Sequence, residues 1–209
     1  MKYSNPKIPE GINTSHESPL KEFILLASGA FVLIIFLVTL ISYLLDWGSQ
    51  FIPFSYEQKI AQPFVSEFIS EYSEGSNEVD TYLQGLADQI APLMSLENNE
   101  VIKLHYVNQD TVNGMATLGG HIFIYRGLLE KLPSENALVM LLAHEIAHVK
   151  LRHPIKSLSK GVTISILLAM ITGQNSADMT GFFAGSSQMA FLNYSRTQEQ
   201  DADNEAVLL

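Results

Sequence analysis

The longest apolar run in the sequence lies near its N-terminus, at residues 23–45. These 23 residues contain no charged side chain and show no polar face. At 1.5 Å per residue, a helix of this length spans the ~30 Å hydrocarbon core of a bilayer with a slight tilt. A cleaved signal peptide is the competing interpretation, but its apolar region is only about 7–15 residues long. We therefore predict an uncleaved transmembrane anchor helix over residues 23–45.

The flanks of this run indicate its orientation. Residues 1–22, with prolines and small polar side chains, are predicted to be a disordered tail, and residues 46–54 a juxtamembrane linker. Three lysines precede the run and one follows within 20 residues: Lys2, Lys7, Lys21 and Lys59. Because cations are enriched on the cytoplasmic side, we expect a cytoplasmic N-terminus. The remainder of the chain then lies on the outer side, periplasmic or extracellular.

Beyond the anchor, the hydrophobic period changes from helical to alternating and back. Helical spacing predicts two acidic helices, at 56–73 and 78–95. Alternation predicts strands at 101–107, 112–117 and 121–125, with a turn at Gly119-Gly120. Ser134 is the expected N-cap of a long helix that runs to about Arg152. The fold class is α+β and mainly helical, with a small antiparallel sheet in a domain over residues 55–209.

Composition excludes several classes of protein. The chain contains no cysteine, which rules out a disulfide scaffold, a cysteine zinc cluster and a thiol nucleophile. Its formal net charge is −10, from 12 basic and 22 acidic residues. Nucleic acid is therefore not expected as a partner, because neutralising phosphates requires clustered cations.

The motif that carries chemistry is His144-Glu145-Ile146-Ala147-His148 on the long helix. Residues four apart share one helical face, so both imidazoles can reach one ion. Glu145 can then address a water activated by that metal. Two core histidines with ordinary hydrogen bonds are the alternative, but histidines on a helix this apolar need polar partners, and a metal supplies them.

A third protein ligand is expected because two histidines do not complete a zinc site. Glu199 and Asp203 are also four apart and lie in the later segment Ser195–Asp203. On a second helix, Glu199 would complete a two-histidine, one-glutamate site. Asp203 would accept the free N–H of a ligand imidazole, most simply that of His144. The other histidines have no partner at ligand spacing: His153 is interpreted as a helix C-terminal residue, and His105 and His121 as surface or core residues.

These motifs resemble the HtpX-like zinc metallopeptidases, the family of the CAAX prenyl protease and of Oma-type membrane quality-control peptidases. The resemblance covers residues 55–209. It rests on the HEIAH helix ending in Arg-His-Pro, on GGHIFIYRGLL from Gly119, and on SRTQEQDAD from Ser195. It implies a zincin-like (gluzincin) fold, one Zn2+ per chain on His144, His148 and Glu199, Glu145 as catalytic base, and Asp203 behind the ligands.

The resemblance also implies a substrate-binding edge strand beside the cleft, marked by Asn113, Gly119 and Gly120. The family pattern there reads Asn-Ala-Phe-x-x-Pro-Gly-Gly, whereas residues 113–120 read Asn-Gly-Met-Ala-Thr-Leu-Gly-Gly. Two further apolar stretches, 162–172 and 182–192, are too short to span a bilayer. We expect them to be helices that roof the cleft rather than a membrane-dipping hairpin.

The expected function is a membrane-anchored zinc endopeptidase that hydrolyses peptide bonds in misfolded, envelope or membrane proteins. A chaperone-like module that holds clients in the same cleft is the main alternative, and a prenyl-protein processing enzyme is a second. Family members usually supply a further histidine and arginine after the second motif. Here the sequence ends six residues after Asp203, so either it is a fragment or other residues assist catalysis. The sequence leaves the natural substrate and the oligomeric state open.

Overall fold

A computed structural model describes residues 18–49, 51–72, 77–96, 100–159, 161 and 194–208. The chain forms two compact units, residues 1–40 and residues 41–209. The tail before residue 18 and the stretches 162–172 and 182–192 fall outside the described residues, so the predictions made for them stay predictions.

The predicted anchor is part of helix α1, Pro19–Ser49. Among the described residues it is the one helix that is long and apolar enough to cross a membrane. Most of its apolar side chains are exposed, as expected of a helix whose surface contacts the hydrocarbon core of a membrane. The helix extends past the predicted run at both ends, so residues 19–22 and 46–49 are helical as well.

Two amphipathic helices come next, α2 (Phe54–Tyr72) and α3 (Asn77–Ile90). Each buries residues at i, i+4 and i+7, the spacing of one helical face. These are Ala61, Val65 and Phe68 in α2, and Leu83, Ala87 and Ile90 in α3. Helix α3 ends earlier than the predicted 95 because Pro92 disfavours the helical conformation of the residue before it.

The sheet has three strands, β1 (Lys103–Val107), β2 (Gly114–Ala116) and β3 (His121–Tyr125), in the order β1-β3-β2. Strand β2 pairs with β3 antiparallel, but β1 pairs with β3 in parallel. The expectation of an antiparallel sheet was therefore wrong for β1. The chain reverses direction before β2 and again before β3, and β3 then inserts between the other two strands. Alternation predicts strands but carries no information on which of them become neighbours.

A turn of two glycines joins β2 to β3. Residues Leu118–Gly120 form a short 3-10 helix in which Gly119 and Gly120 have φ of +72° and +80°. A Cβ on Gly119 would lie 2.8 Å from the Gln58 Cα, and one on Gly120 would lie 2.1 Å from the Val101 carbonyl oxygen. Only glycine fits both the left-handed conformation and these close backbone contacts.

Apolar cores cover both faces of the sheet. A short helix, α4 (Arg126–Leu129), follows β3. On one face, Ile122 and Ile124 pack with side chains of α3, of α5 (Glu135–Lys150) and of α6 (Arg196–Ala206). On the other face, Phe123 and Tyr125 pack with side chains of α2 and Ile155. All five residues of β3 are buried, as expected for a central strand covered on both sides.

The predicted long helix is α5, and the chain turns sharply at its C-terminal end. Ser134 is the N-cap and accepts a hydrogen bond from the Ala137 N–H. After the helix, Arg152 has φ of +59°, the left-handed conformation that commonly ends helices. Residues 153–159 are helical again, so the chain changes direction at Arg152 and remains close to the end of α5.

A buried ion pair fixes this turn to α2. The Arg152 guanidinium contacts the Glu57 carboxylate and donates to the Ile52 carbonyl oxygen at 2.7 Å. Glu57 also accepts from the Gly119 N–H at 3.5 Å. Burial raises the pKa of Glu57, and the charge of Arg152 lowers it. One carboxylate thus connects α2, the glycine turn and the end of α5.

Replacing Arg152 with alanine should leave the Glu57 carboxylate buried without its cation. We expect the free energy of unfolding to fall by about 3 kcal/mol, the lower end for a broken buried pair because Arg152 is partly exposed. Denaturant unfolding measures this change, with the exposed Lys131→Ala as a control that should stay within about 0.5 kcal/mol of wild type. Equal losses of unfolding free energy in the two variants would contradict a stabilising role for the Arg152–Glu57 ion pair.

A pair of histidines, one buried and one partly buried, lies on the sheet. His105 Nε2 and His121 Nδ1 are 2.8 Å apart, and the two rings stack. Burial lowers the pKa of each histidine to about 4. One ring must donate and the other accept, so the pair requires neutral imidazoles. The unfolded chain binds protons below about pH 6.5. The stability due to this pair is therefore fully present above about pH 6.5 and is lost as the pH falls towards 4.

The substitution His105→Leu should flatten the dependence of unfolding free energy on pH between about 6.5 and 4. Carboxylates contribute equally to wild type and variant, so the difference between the two profiles isolates the histidine pair. Chemical denaturation at several pH values measures both profiles. Parallel profiles over this range would mean that the pair titrates as it does in the unfolded chain.

Candidate metal centre

Helix α5 presents both histidines of the HExxH motif on one face. The Nε2 atoms of His144 and His148 are 3.0 Å apart. His148 is fully buried and His144 is partly buried. Burial lowers the pKa of His148 to about 3, with further contributions from His144 and His153, so its ring is neutral. A neutral imidazole is the form that binds a metal.

Helix α6 brings Glu199 to the same point. Its Oε2 lies 3.4 Å from His144 Nε2 and 3.8 Å from His148 Nε2. One ligand atom of each of the three residues lies within 4.8 Å of the other two. This donor set of two imidazoles and one carboxylate suits zinc, which binds three protein ligands in catalytic sites. The residues present therefore fit the metal that the motif implies.

The position of α6 has a local cause. Ser195 and Gln198 form a capping box at its start, which fixes where the helix begins. Ala202 and Ala206 are buried against α5, and small side chains allow the two helices to approach closely. Lys150 of α5 and Glu205 of α6 add an ion pair between them.

Asp203 lies one turn after Glu199 and contacts His144. Its Oδ1 is 2.9 Å from His144 Nδ1, so the carboxylate can accept the proton on the nitrogen that does not face His148. Such a contact fixes the tautomer of an imidazole and orients its ring.

Glu145 points between the helix and the sheet. Its side chain is buried and accepts a hydrogen bond from the Ala116 N–H. Burial raises the pKa of Glu145 to about 7, while His144 and the Ala116 N–H lower it and Glu199 raises it further. A carboxyl group with this pKa can both accept and release a proton near neutral pH.

Strand β2 is an edge strand of the sheet within the part of the chain that the structure describes, and it lies beside this carboxylate. Thr117 N–H donates to His121 O and Tyr125 N–H donates to Asn113 O, so Asn113 and Thr117 bond towards β3. In an antiparallel ladder, the residues that alternate with these face the other way. The backbone groups of Gly114 and Ala116 are therefore directed away from β3, where the Ala116 N–H bonds to Glu145 and its carbonyl to the Tyr194 hydroxyl.

The residues that the resemblance assigned to the edge strand surround it rather than form it. Asn113 directly precedes β2, and its carbonyl bonds to β3. Gly119 and Gly120 lie in the 3-10 turn, buried against the backbones of Gln58 and Val101. Asn113 and the two glycines thus flank strand β2 (Gly114–Ala116), and their assignment to a substrate-binding edge stays a prediction.

Two residues of the site were not predicted from the sequence. His153 was interpreted as a helix C-terminal residue, but it is buried with Nδ1 2.9 Å from Nδ1 of His148. Tyr194 stacks on the His148 ring at 3.9 Å, and its hydroxyl donates to the Ala116 carbonyl oxygen at 2.7 Å. Burial raises the pKa of Tyr194 well above its usual value, so this hydroxyl stays protonated. The contact of His153 depends on the left-handed turn at Arg152, which spacing along a helix does not reveal.

Comparison with known proteins identifies relatives of this chain. The model of peptidase family M48 matches residues 77–209. The beta-barrel assembly-enhancing protease of Escherichia coli (strain K12) is 32% identical over 124 residues, which are 53% of this chain and 25% of that protein. The mitochondrial metalloendopeptidase OMA1 of Schizosaccharomyces pombe is 25% identical over 160 residues, 74% of this chain and 47% of that protein.

The match to these relatives is partial in length. The aligned part of the chain spans about a quarter of the first relative and about half of the second. The family model, in contrast, covers well over half of the chain and includes every element from α3 to α6. Both helices that carry the candidate ligands lie within it, and the chain belongs to peptidase family M48.

Proposed function

We propose that this chain is a zinc-dependent endopeptidase held at a membrane by α1. One observation carries the proposal: His144, His148 and Glu199 converge within 4.8 Å, beside the buried carboxylate of Glu145. Membership of a metallopeptidase family supports the same reaction class. Zinc is the metal we propose because imidazole nitrogen and carboxylate oxygen are its usual ligands in hydrolytic sites.

In this proposal the ligands are His144, His148 and Glu199, with Asp203 orienting His144. Zinc bound there would supply Lewis-acid polarisation of the scissile carbonyl and acidify the attacking water. Glu145 accepts the proton of that water and passes it to the leaving amine. Its pKa of about 7 suits both steps, because the group must gain and lose a proton in each turnover.

The substrates we propose are extended segments of polypeptide. The outward backbone groups of Gly114, and those of Ala116 once released from Glu145 and Tyr194, would pair with such a segment, and main-chain pairing tolerates varied side chains. The apolar surface of α1 and the names of the relatives, one of them a beta-barrel assembly-enhancing protease, favour misfolded, envelope or membrane proteins as the source. Chaperone-like holding of clients in the same cleft is the alternative, and measurements of zinc, binding and cleavage distinguish the two.

The substitution Glu145→Gln should abolish cleavage and preserve zinc. The amide cannot accept the water proton, and we expect turnover of an unfolded protein to fall at least ~100-fold. Bound zinc is measured by elemental analysis of the same preparation. Undiminished cleavage by this variant, free of other proteases, would contradict the role of Glu145.

Two matched variants on α6 test the role of a proposed metal ligand independently of the role of the proposed base. Glu199→Ala should lose both zinc and cleavage, whereas Asp201→Ala, at an exposed position of the same helix, should change neither. If wild-type protein binds unfolded clients and zinc but never cleaves, the chaperone-like alternative replaces the peptidase.

We also propose that the N-terminus is cytoplasmic and the domain lies on the outer side of the membrane. The chain has no cysteine, so single cysteines report topology without background. In intact cells, a membrane-impermeant maleimide should label Asp201→Cys, and should label Ser4→Cys only after lysis. The reverse pattern would invert the orientation.

A further inference from the structure

The contacts that hold the His148 ring differ from those that hold the other histidine of the motif, His144. Its ring is fully buried, and Tyr194 covers one face of the ring at 3.9 Å. Its Nε2 is directed towards His144 and Glu199. The other ring nitrogen, Nδ1, lies 2.9 Å from Nδ1 of His153. His144 is oriented by a carboxylate, and His148 is oriented by a second imidazole.

We propose that His153 is a positioning residue for the metal ligand His148. This inference rests on the proposed zinc site. A histidine that binds a metal through Nε2 carries its proton on Nδ1. That proton can be donated to His153 Nδ1 only if His153 is neutral and carries its own proton on Nε2. The hydrogen bond then fixes both the tautomer of His148 and the plane of its ring.

A sharp turn of the backbone places the His153 ring beside His148. His153 comes directly after Arg152, whose left-handed conformation reverses the direction of the chain after α5. The guanidinium of Arg152 is in turn held by Glu57 and by the Ile52 carbonyl. Five positions separate His148 from His153, a spacing that would put the two rings on different faces of a continuous helix. The turn brings the rings together.

Burial makes this hydrogen bond consequential. Without an acceptor, the Nδ1–H of His148 would be a buried donor with no partner, in a position that Tyr194 shields from water. The alternative is that the ring rotates to satisfy the donor and moves Nε2 away from Glu199. Either outcome weakens metal binding, and groups in this position typically contribute about 10–100-fold to metal affinity.

The experiment compares two substitutions of His153 in the full chain, solubilised in detergent. Leucine is close to histidine in volume but offers no acceptor, and asparagine is smaller but retains an oxygen near the position of Nδ1. We expect His153→Leu to weaken zinc binding about 10–100-fold in competition with a chelator, and His153→Asn to remain close to wild type. A packing role would give the opposite order, because asparagine leaves the larger void.

The histidine pair on the sheet, His105 and His121, provides a matched control. His105→Leu removes a ring contact of the same kind, with 2.8 Å between nitrogens, on the sheet. It should lower the thermal unfolding midpoint without changing zinc affinity. The positioning role would be overturned if His153→Leu bound zinc as tightly as wild type. It would also be overturned if the leucine and asparagine variants lost zinc affinity equally.

A measurement on wild-type protein tests the proposal even if the His153 variants do not fold. Long-range nitrogen–proton NMR of the zinc-loaded chain reports the tautomer of each histidine. We expect a proton on Nδ1 of His148 and on Nε2 of His153. A proton on Nδ1 of His153 would overturn the proposal. Failure of the wild-type chain to bind zinc at all would instead refute the proposed function.

Discussion

The close contact between α5 and α6 is the constraint on which the candidate metal centre depends. The HExxH motif alone brings two imidazoles together, because residues four apart share a helical face. The third donor comes from a helix about fifty residues later, and it reaches the histidines only if the two helices pack at short range. Ala202 and Ala206 permit that approach, and the capping box at Ser195 sets the start of α6. A larger side chain at either alanine would move Glu199 away from both rings without altering any ligand.

Burial gives the site its chemical character. Glu145 and His148 lie on the same helix and are both withdrawn from water, but desolvation acts on them in opposite directions. It raises the pKa of the acid and lowers that of the base, so both favour the neutral form. In the proposed reaction this is useful for each: His148 offers a lone pair at any physiological pH, and Glu145 holds its proton weakly enough to exchange it.

Much of this arrangement could be predicted from local patterns, and the failures share a cause. Helical spacing located α2, α3 and α5, and the two four-residue spacings gave the ligand candidates, because each depends on the geometry of one element. The parallel pairing of β1 with β3 depends on the order in which strands assemble. The contact of His153 depends on a non-glycine residue with positive φ, stabilised by Glu57 from another helix. Neither appears as a period along the chain.

Edge strand β2 of the sheet and the Glu145 carboxylate are linked through a single backbone residue, Ala116. Both edge-facing backbone groups of Ala116 are engaged, the N–H by Glu145 and the carbonyl by the Tyr194 hydroxyl. Tyr194 also stacks on His148, so Ala116 contacts Glu145 directly and is connected through Tyr194 to the candidate ligand His148. In the proposed function, a substrate strand that pairs with both backbone groups of Ala116 must replace the Glu145 contact as well as the Tyr194 contact. The register of the substrate and the position of the scissile bond would then be set by the same residue.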